Sequence, residues 1–350
     1  MGSFGEEITF ELPSVVIIAN GNRFVLPALE LQNYPSTVVH LTEGLIRGQN
    51  LATIHGESLL PSGYCHSFNW VEENGFRSIT GTSKCQGEIR QQIVVEDIDT
   101  DYYLIGLTSH FGHFFVDCLD RLLAIEELVG KKKNIKYVVN YELIPQIKNI
   151  FELLGTDIND NNLLFLKQDL DYRIKNLNII SLKSAKPAIS WKTFLEFRRR
   201  VLSKMEKTIF LTKGIYVGRK QINKRKIINQ AEIESYLNLM EITAFYPEDH
   251  SFVKTAEVFN SVEVVVIVIG SSKFNLALCR PGTKVICLTP EGYAEKGGPV
   301  SLMIRQICAV FQLELCFCSC KIQGSNIGLD SDLIIEKKFL NQAIQTLAIS

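Results

Sequence analysis

Histidine, aspartate and arginine side chains are concentrated in one otherwise apolar segment, His110-Phe-Gly-His113-Phe-Phe-Val-Asp117-Cys-Leu-Asp120-Arg121. If the segment is an α-helix, each residue advances by 100°, and four polar residues fall within an arc of about 100°: His113, Asp117, Asp120 and Arg121. A histidine one turn away from a carboxylate can be oriented by it and act as a general base towards a hydroxyl. A solvated helix face with i,i+4 pairs explains the same spacing. Both interpretations stay open at this point.

A second group of charged residues is a basic loop that follows a predicted strand. Five cations stand within eight residues: Arg219, Lys220, Lys224, Arg225 and Lys226. Arginine offers a bidentate fork and lysine a point charge, so such a loop suits a diphosphate. An exposed basic loop without a ligand is the competing interpretation. Since almost no aromatic residues are interleaved with these cations, we expect no nucleic-acid partner.

A third candidate is the turn that follows an apolar strand. Residues 264–269 are all apolar and lead into Gly270-Ser271-Ser272-Lys273-Phe274-Asn275. A helix that begins in such a turn points unpaired backbone N–H groups and its positive dipole end outwards, which favours phosphate. The turn lacks both the dinucleotide-binding glycine pattern and the P-loop pattern. We therefore expect it to act together with the basic loop, on one diphosphate.

Alternating strand and helix patterns position these three groups. From about residue 102 onwards, short apolar segments that predict strands alternate with amphipathic segments that predict helices, the last of them over about 332–347. Residues 1 to about 100 predict short strands only. The alternation is typical of parallel α/β sheets, and 350 residues are consistent with about two domains. We predict two units, 1–206 with a β-rich start and 207–350.

Composition narrows the class of protein. The 37 Lys and Arg against 38 Asp and Glu leave a net charge of −1, so there is no general basic field for nucleic acid or an anionic membrane. The apolar run at 15–19 is short and follows three glutamates, unlike a secretory signal. The run at 264–269 is far below the roughly 20 residues of a membrane-spanning helix. We expect a cytoplasmic protein, with a location peripheral to a membrane as the alternative.

The nine cysteines indicate reduced thiols rather than disulfides. Cys316, Cys318 and Cys320 alternate along a predicted strand, which places them on one face of it. We expect a buried strand face, with a soft-metal site as the alternative interpretation.

The order of the motifs along the chain is informative. The His-x3-Asp-x3-Arg segment at 113–121 comes first, and the arginine-led loop at 219–226 follows. Next come Tyr246-Pro247-Glu248-Asp249-His250-Ser251-Phe252, the glycine turn with Asn275, and Arg280-Pro281-Gly282-Thr283. This order resembles glycosyltransferase family 61. The similarity is clearest over about 210–290, with the segment around His113 as a second anchor, and does not extend to the first hundred residues.

The resemblance implies a GT-B-like fold, in which two Rossmann-like domains face a cleft. It also implies transfer of a hexosyl, pentosyl or N-acetylhexosaminyl group from a nucleotide-sugar to a glycan or polysaccharide hydroxyl, with inversion, in polysaccharide synthesis such as that of a capsule. The first domain would hold the acceptor and the second the donor. The implied catalytic residues are His113, Asp117 and Arg121. The implied donor nucleotide and diphosphate ligands are Arg219, Arg225, Glu248, Ser251, Gly270, Ser271, Ser272 and Asn275.

The sequence departs from the family's pattern at two positions. Ile269 stands where the family typically has the histidine of a His-Gly-Ala turn, and Asp120 stands where it has proline. Isoleucine cannot donate to a phosphate. Either Ser271, Ser272 or Lys273 makes that contact, or the donor differs, or nucleotide binding has been lost. The alternative function is therefore a catalytically inactive family member that binds a glycan or acts as a scaffold in a polysaccharide-assembly complex.

We expect no cofactor and no metal site, because the cations can neutralise a diphosphate by themselves. Asp99-Thr-Asp101 spells a DxD pattern, but it lies at the end of the β-rich region. The expected partners are a nucleotide-sugar donor and a glycan acceptor. A homo-oligomer or a membrane-associated assembly complex stays open.

Overall fold

The computed structural model describes the chain in segments. These are residues 2–4, 8–19, 22–26, 28–33, 36–47, 52–55, 58–59, 92–106, 111–130, 134–139, 144–159, 161–167, 170–180, 190–205, 213–220, 225–323 and 331–349.

Strands are numbered in chain order through these segments. They are β1 Gly2–Phe4, β2 Ile8–Leu12, β3 Val15–Ala19, β4 Asn22–Leu26, β5 Leu29–Asn33, β6 Ser36–Arg47, β7 Ala52–His55, β8 Ser58–Leu59, β9 Gln92–Val95, β10 Asp101–Leu104, β11 Ile135–Val139, β12 Leu163–Phe165, β13 Asp171–Ile180, β14 Gly214–Val217, β15 Ile242–Phe245, β16 Val264–Val268, β17 Lys284–Pro290, β18 Glu314–Gln323 and β19 Asp332–Ile334.

Helices are numbered in the same way. The first, α1, begins with Phe111–His113, continues through a π-helical turn at Phe114–Cys118 and ends with the α-helical Leu119–Val129. The others are α2 Pro145–Leu154, α3 Trp191–Ser203, α4 Gln230–Asn238, α5 Phe252–Ser261, α6 Pro299–Val310 and α7 Lys337–Thr346. Short 3₁₀ segments cover Pro247–Asp249 and Ser271–Leu278.

The chain divides into two compact units, each formed by two separate stretches of the sequence. The first unit comprises Met1–Ile8 and Gln32–Ala185, and the second comprises Thr9–Leu31 and Lys186–Ser350. These units differ from the division at residue 206 that the sequence suggested. Helix α3 belongs to the second unit, where Nη1 of Arg198 donates to the carbonyl oxygen of Ala277 at 2.6 Å. Strand β3 also belongs there, because it pairs in parallel with β18.

The sheet of the first unit combines parallel and antiparallel pairing. Its strand order is β12-β11-β10-β13-β6-β7-β8, with β1 paired to β6 and β9 paired to β13. The pairs from β12 to β13 are parallel. The pairs from β13 to β8 are antiparallel. Five strands of the β-rich start that the sequence predicted, β1 and β6 to β9, therefore extend a parallel α/β half.

The sheet of the second unit is mainly parallel. Its order is β15-β14-β16-β17-β18-β3-β4, with β19 antiparallel to β18 and β4 antiparallel to β3. Every residue of β16 is buried, as expected of a strand whose two faces are both covered. A separate two-stranded sheet pairs β2 with β5.

The alternating cysteines lie in the core of the second unit. Cys316, Cys318 and Cys320 are at most 1% exposed and belong to one apolar cluster with residues of β14, β16, β19 and α7. The predicted buried strand face is confirmed.

Most of the predicted elements are confirmed, and with them the α/β class with parallel sheets. The prediction of a helix over about 332–347 is wrong at its start, because Asp332–Ile334 forms β19 and the helix α7 begins only at Lys337. The cause is tertiary pairing, since Leu333 is opposite Ile322 of β18.

Candidate functional site

The chain reverses its direction across the second sheet between β14 and β16. Strand β15 lies on one side of β14, and β16, the next strand along the chain, lies on the other. At such a reversal the loops after the two strands diverge and leave a crevice at the carboxyl edge, where open α/β sheets bind ligands. Arg219 follows β14 and Gly270 follows β16. A Cβ atom placed on Gly270 would lie 3.6 Å from the Cζ of Arg219, so these two predicted residues meet.

Two further cations reach the same turn from other directions. Nη1 of Arg225 lies 3.3 Å from the carbonyl oxygen of Ile269, to which it donates. Nζ of Lys273 lies 3.5 Å from the carbonyl oxygen of Gly270. Lys273 is only 6% exposed. Burial, and then the charge of Arg225, lower the pKa of the Lys273 amine to about 7.

The loop after β14 is held by an aromatic ring. A Cβ atom on Gly218 would lie 2.5 Å from Cε1 of Tyr246, so only glycine lets the ring pack against this backbone. The Tyr246 hydroxyl contacts the Glu234 carboxylate and accepts a hydrogen bond from Nε2 of Gln230 at 2.9 Å. The ammonium group of Lys220 lies 4.4 Å from the centroid of the same ring. These contacts fix the backbone from which Arg219 projects.

Glu248 and Ser251 have local partners in this structure. Oε1 of Glu248 accepts a hydrogen bond from the backbone N–H of Lys220 at 2.7 Å. Glu248 therefore supports the basic loop. Oγ of Ser251 accepts from the backbone N–H of Lys254 at 3.2 Å and caps the N-terminus of α5. Their predicted contact with a donor stays a prediction.

The residues that follow Gly270 differ in exposure. Ser271 is exposed and Ser272 is partly buried, so both hydroxyls are near the surface of the turn. Asn275 is 2% exposed, and its Oδ1 has no hydrogen-bond partner among the described residues. Ile269 is fully buried and donates its N–H to Leu288. Its side chain therefore belongs to the core, while its carbonyl faces Arg225.

A reversal of the same kind occurs in the first sheet, between β10 and β13. The chain passes from β10 to β11 and β12 on one side and returns to β13 on the other. Helix α1 follows β10, and Nε of Arg121 donates to the carbonyl oxygen of Ile180, the last residue of β13, at 3.0 Å. Sγ of Cys118 lies 2.7 Å from the carbonyl oxygen of Gly106, just after β10. Contacts at both strand ends thus place α1 at this reversal.

The polar residues of α1 do not share one environment. His113 is exposed, whereas Asp120 and Arg121 are buried. The backbone N–H of Leu119 donates to the carbonyl oxygen of Phe114, five residues back, in the π-helical turn. Because this turn lies between His113 and Arg121, α-helical spacing does not apply across it, and the prediction of one common stripe is wrong. The side chain of Asp117 and all of His110 lie outside the described residues.

A comparison of the sequence with models of known protein families shows which family the chain belongs to. The model of the family described as Glycosyltransferase 61 matches residues 111–286, just over half of the 350 residues. The chain belongs to glycosyltransferase family 61. A search of the curated proteins finds no match.

The family 61 match covers the residues that the structure singles out. It starts at the first residue of α1 and ends within β17, so it includes the helix with Arg121 as well as Arg219, Arg225 and Gly270. Membership implies glycosyltransferase activity in general, with a sugar donor and a glycan acceptor. It does not favour the catalytically inactive alternative.

The sequence predicts Lys273 only as an alternative phosphate contact, and it does not predict Tyr216 or Thr289 as site residues. The Tyr216 hydroxyl and the Thr289 hydroxyl are buried near the carboxyl ends of β14 and β17, without a hydrogen-bond partner among the described residues. Burial raises the pKa of Tyr216 above its usual range. In the sequence, the one feature that could have indicated these two residues is that each is a polar residue within an apolar strand segment.

The described segments hold neither a metal-binding cluster nor a membrane-spanning helix. No three His, Cys, Asp or Glu side chains are grouped closely enough to hold a metal ion there. Nor does any helix in those segments combine the length and the apolar character needed to cross a membrane.

Proposed function

We propose that this family 61 member is an inverting glycosyltransferase that uses a nucleotide-sugar donor and a glycan or polysaccharide acceptor. The observation that carries the proposal is the approach of Arg219 to Gly270 at the reversal of the second sheet. A guanidinium group beside a bare backbone turn suits a diphosphate, because the arginine supplies charge and the glycine leaves room.

The second unit holds the leaving group in this proposal. As the bond between the anomeric carbon and the diphosphate oxygen breaks, the oxygen keeps the electron pair and negative charge grows on the diphosphate. Arg219 and Arg225 stabilise this charge from positions that the fold has already fixed. Ser271, Ser272 and the backbone N–H groups of the turn add neutral donors. Asn275 and the segment from Glu248 to Ser251 complete the donor side.

The first unit activates the acceptor. A base takes the proton of the acceptor hydroxyl while its oxygen forms the new bond to the anomeric carbon from the opposite face, which inverts the configuration. The base is His113 oriented by Asp117, or Asp117 itself. Arg121 acts as a positioning residue, since its bond to Ile180 holds α1 at the end of β13.

Several further features belong to the same proposal. They are a GT-B-like arrangement, a cytoplasmic location, and turnover without a divalent metal, because the cations named above neutralise the leaving group. Self-association and membership of a membrane-associated assembly complex stay predictions.

The first test is a thermal-shift screen with UDP, GDP, CMP and dTDP, each with and without Mg²⁺. A ligand that binds only the folded state raises the melting temperature by mass action. We expect one nucleoside diphosphate to raise it without Mg²⁺. If none of the four shifts the melting temperature, the donor site is contradicted. If the melting temperature rises only when Mg²⁺ is present, the proposal that the enzyme works without a divalent metal is contradicted.

The second test is Arg219→Ala, assayed with the sugar donor of the nucleotide that binds. We expect turnover to fall roughly 10²- to 10³-fold, as when one charge-stabilising donor is removed from an active site. The matched control is Arg280→Ala. Arg280 is an exposed arginine of the same unit that precedes β17 at the opposite edge of the sheet and contacts the carbonyl oxygen of Ser261. Equal turnover in the two variants would contradict the proposal that Arg219 stabilises the leaving diphosphate.

A further inference from the structure

The Lys273 amine is buried without a carboxylate. Its side chain is 6% exposed, and Nζ lies 3.5 Å from the carbonyl oxygen of Gly270 and 4.0 Å from the centroid of the Phe274 ring. A hydrogen bond of 3.5 Å is at the limit of the usual range. No carboxylate of the described residues forms an ion pair with this amine.

The charged and titratable groups around this amine add no negative charge at neutral pH. Arg225 reaches the turn from the basic loop, and the Cys287 thiol faces it from β17. On the helices packed against the 3₁₀ segment, Arg198 of α3 donates to Ala277, Arg305 of α6 donates to Pro13, and the one carboxylate of α5, Glu257, is paired with Lys254 at 3.4 Å. Burial raises the pKa of Cys287 above its usual range, so this thiol stays neutral.

An ammonium group in such a place is unfavourable unless an anion joins it. Taking a charge out of water costs several kcal/mol, and attraction to a partner offsets this only when the partner is close. Burial and Arg225 accordingly hold the pKa of Lys273 at about 7. A diphosphate at Gly270 would bring at least two negative charges to the turn whose carbonyl the amine contacts. Its charge would then favour the protonated form of the amine instead of the neutral form.

We propose that Lys273 takes up one proton from solvent when a diphosphate binds at the Gly270 turn, so that anion binding and protonation of this amine are coupled. The only bond formed in this step is an N–H bond, and the buffer supplies the proton. The inference rests on the proposed function, because it places the diphosphate at the same turn. Lys273 thereby becomes a third cation of the site, one whose charge is complete only in the bound state.

The coupling has a direction that can be measured. Above the pKa of the empty state, each pH unit makes the required proton tenfold scarcer, so Kd rises up to tenfold per unit until the pKa of the bound state is reached. A singly charged phosphate ester draws the proton less strongly than a diphosphate does, so the site favours the diphosphate more at pH 8 than at pH 6.5.

The test is titration calorimetry of the full chain with inorganic pyrophosphate at pH 8, in two buffers of different ionisation enthalpy. The difference between the observed enthalpies gives the number of protons taken up. The wild type is compared with Lys273→Met and with the control Lys284→Met. Lys284 also donates to a backbone carbonyl, that of Ala348 at 2.9 Å, but it lies at the amino end of β17, on the far edge of the sheet.

We expect the wild type and Lys284→Met to take up nearly one proton more than Lys273→Met, which should also bind pyrophosphate at least tenfold more weakly. Protonation of pyrophosphate itself is common to all three proteins and cancels. Equal proton uptake in the three proteins overturns the coupling and leaves the proposed donor site intact. Failure of the wild type to bind any diphosphate overturns both.

A measurement on the wild type alone covers the case in which Lys273→Met does not fold. The ¹³Cε resonance of a buried lysine is followed against pH, with and without saturating pyrophosphate. We expect one lysine to titrate near neutral pH in the empty protein and at least two units higher with pyrophosphate. A spectrum in which every lysine titrates above pH 9.5 in the empty protein, or in which pyrophosphate moves none of them, overturns the coupling.

Discussion

Replacing Lys273 by methionine should make the empty protein more stable, by an amount that decreases as the pH rises. Methionine has a similar length and no charge, so it fills the space below the Gly270 turn. It leaves the carbonyl oxygen of Gly270 with the backbone N–H of residue 273, at 3.3 Å, as its hydrogen-bond donor. The variant removes a buried amine that has no anionic partner among the described residues.

The magnitude follows from the pKa of the amine. Folding lowers it from 10.5 to about 7, and at about 1.36 kcal/mol per unit the total effect on the free energy of unfolding is up to about 5 kcal/mol. The unfolded chain binds more protons than the folded one between these two pH values, so wild-type stability rises with pH throughout the interval. Lys273→Met lacks this rise. Its advantage over the wild type should therefore shrink by about 2 to 3 kcal/mol between pH 7.5 and 9.5.

Urea unfolding at pH 7.5, 8.5 and 9.5 measures this difference, with tryptophan fluorescence as the signal, to which Trp191 of α3 contributes. Lys284→Met, which replaces a lysine at the amino end of β17, is measured alongside as the matched control. A pH-independent difference between the wild type and Lys273→Met would refute the reasoning. So would a variant that is less stable than the wild type at pH 7.5, because the buried amine would then be stabilising.

Two further pairs of substitutions, each a test and its control, show how the site is supported. Gly218→Ala should lower the free energy of unfolding by about 1 to 3 kcal/mol, because its Cβ would overlap the Tyr246 ring at 2.5 Å. Gly270→Ala, whose Cβ would meet Arg219 at an ordinary 3.6 Å, should change the melting temperature little. Ser251→Ala should cost about 1 kcal/mol through the lost cap of α5, as should Ser190→Ala at the N-terminus of α3. A larger KM for the donor in Ser251→Ala than in Ser190→Ala would assign Ser251 a second role, in binding.

The sequence predicts the elements around the Gly270 turn well, because local pattern is enough there. The run at 264–269 is apolar throughout and the residues after it include glycine and serine, so a buried strand and a turn follow directly. The burial of Lys273 does not follow in this way. A lysine three residues into a turn is usually solvated, and only the packing of α3, α5 and α6 around the 3₁₀ segment places it inside.

Other features depend on contacts that spacing does not encode. The sequence predicts which residues share a face of α1 from an advance of 100° per residue. The π-helical turn between His113 and Arg121 does not follow that spacing. The start of the predicted final helix is a strand because β18 extends beyond its pairing with β17 and β3, and its last residues pair with β19, with Leu333 opposite Ile322. Glu248 was assigned to the donor by resemblance, whereas its contact with Lys220 becomes visible only once the loops after β14 and β15 are side by side.

The pairing of β3 with β18 has a consequence for how the chain is made. Val16 is opposite Cys316, so these neighbours in the sheet are separated by 300 positions in the sequence. During synthesis β3 leaves the ribosome early, and its partner follows only after β14, β16 and β17 have emerged. Closing so long a loop carries an entropic cost that contacts within the first unit can reduce, by bringing the ends closer together. Strand β3 can pair with β4 at once, but its edge towards β18 stays unpaired until about 300 further residues have been made, so the sheet of the second unit is completed late.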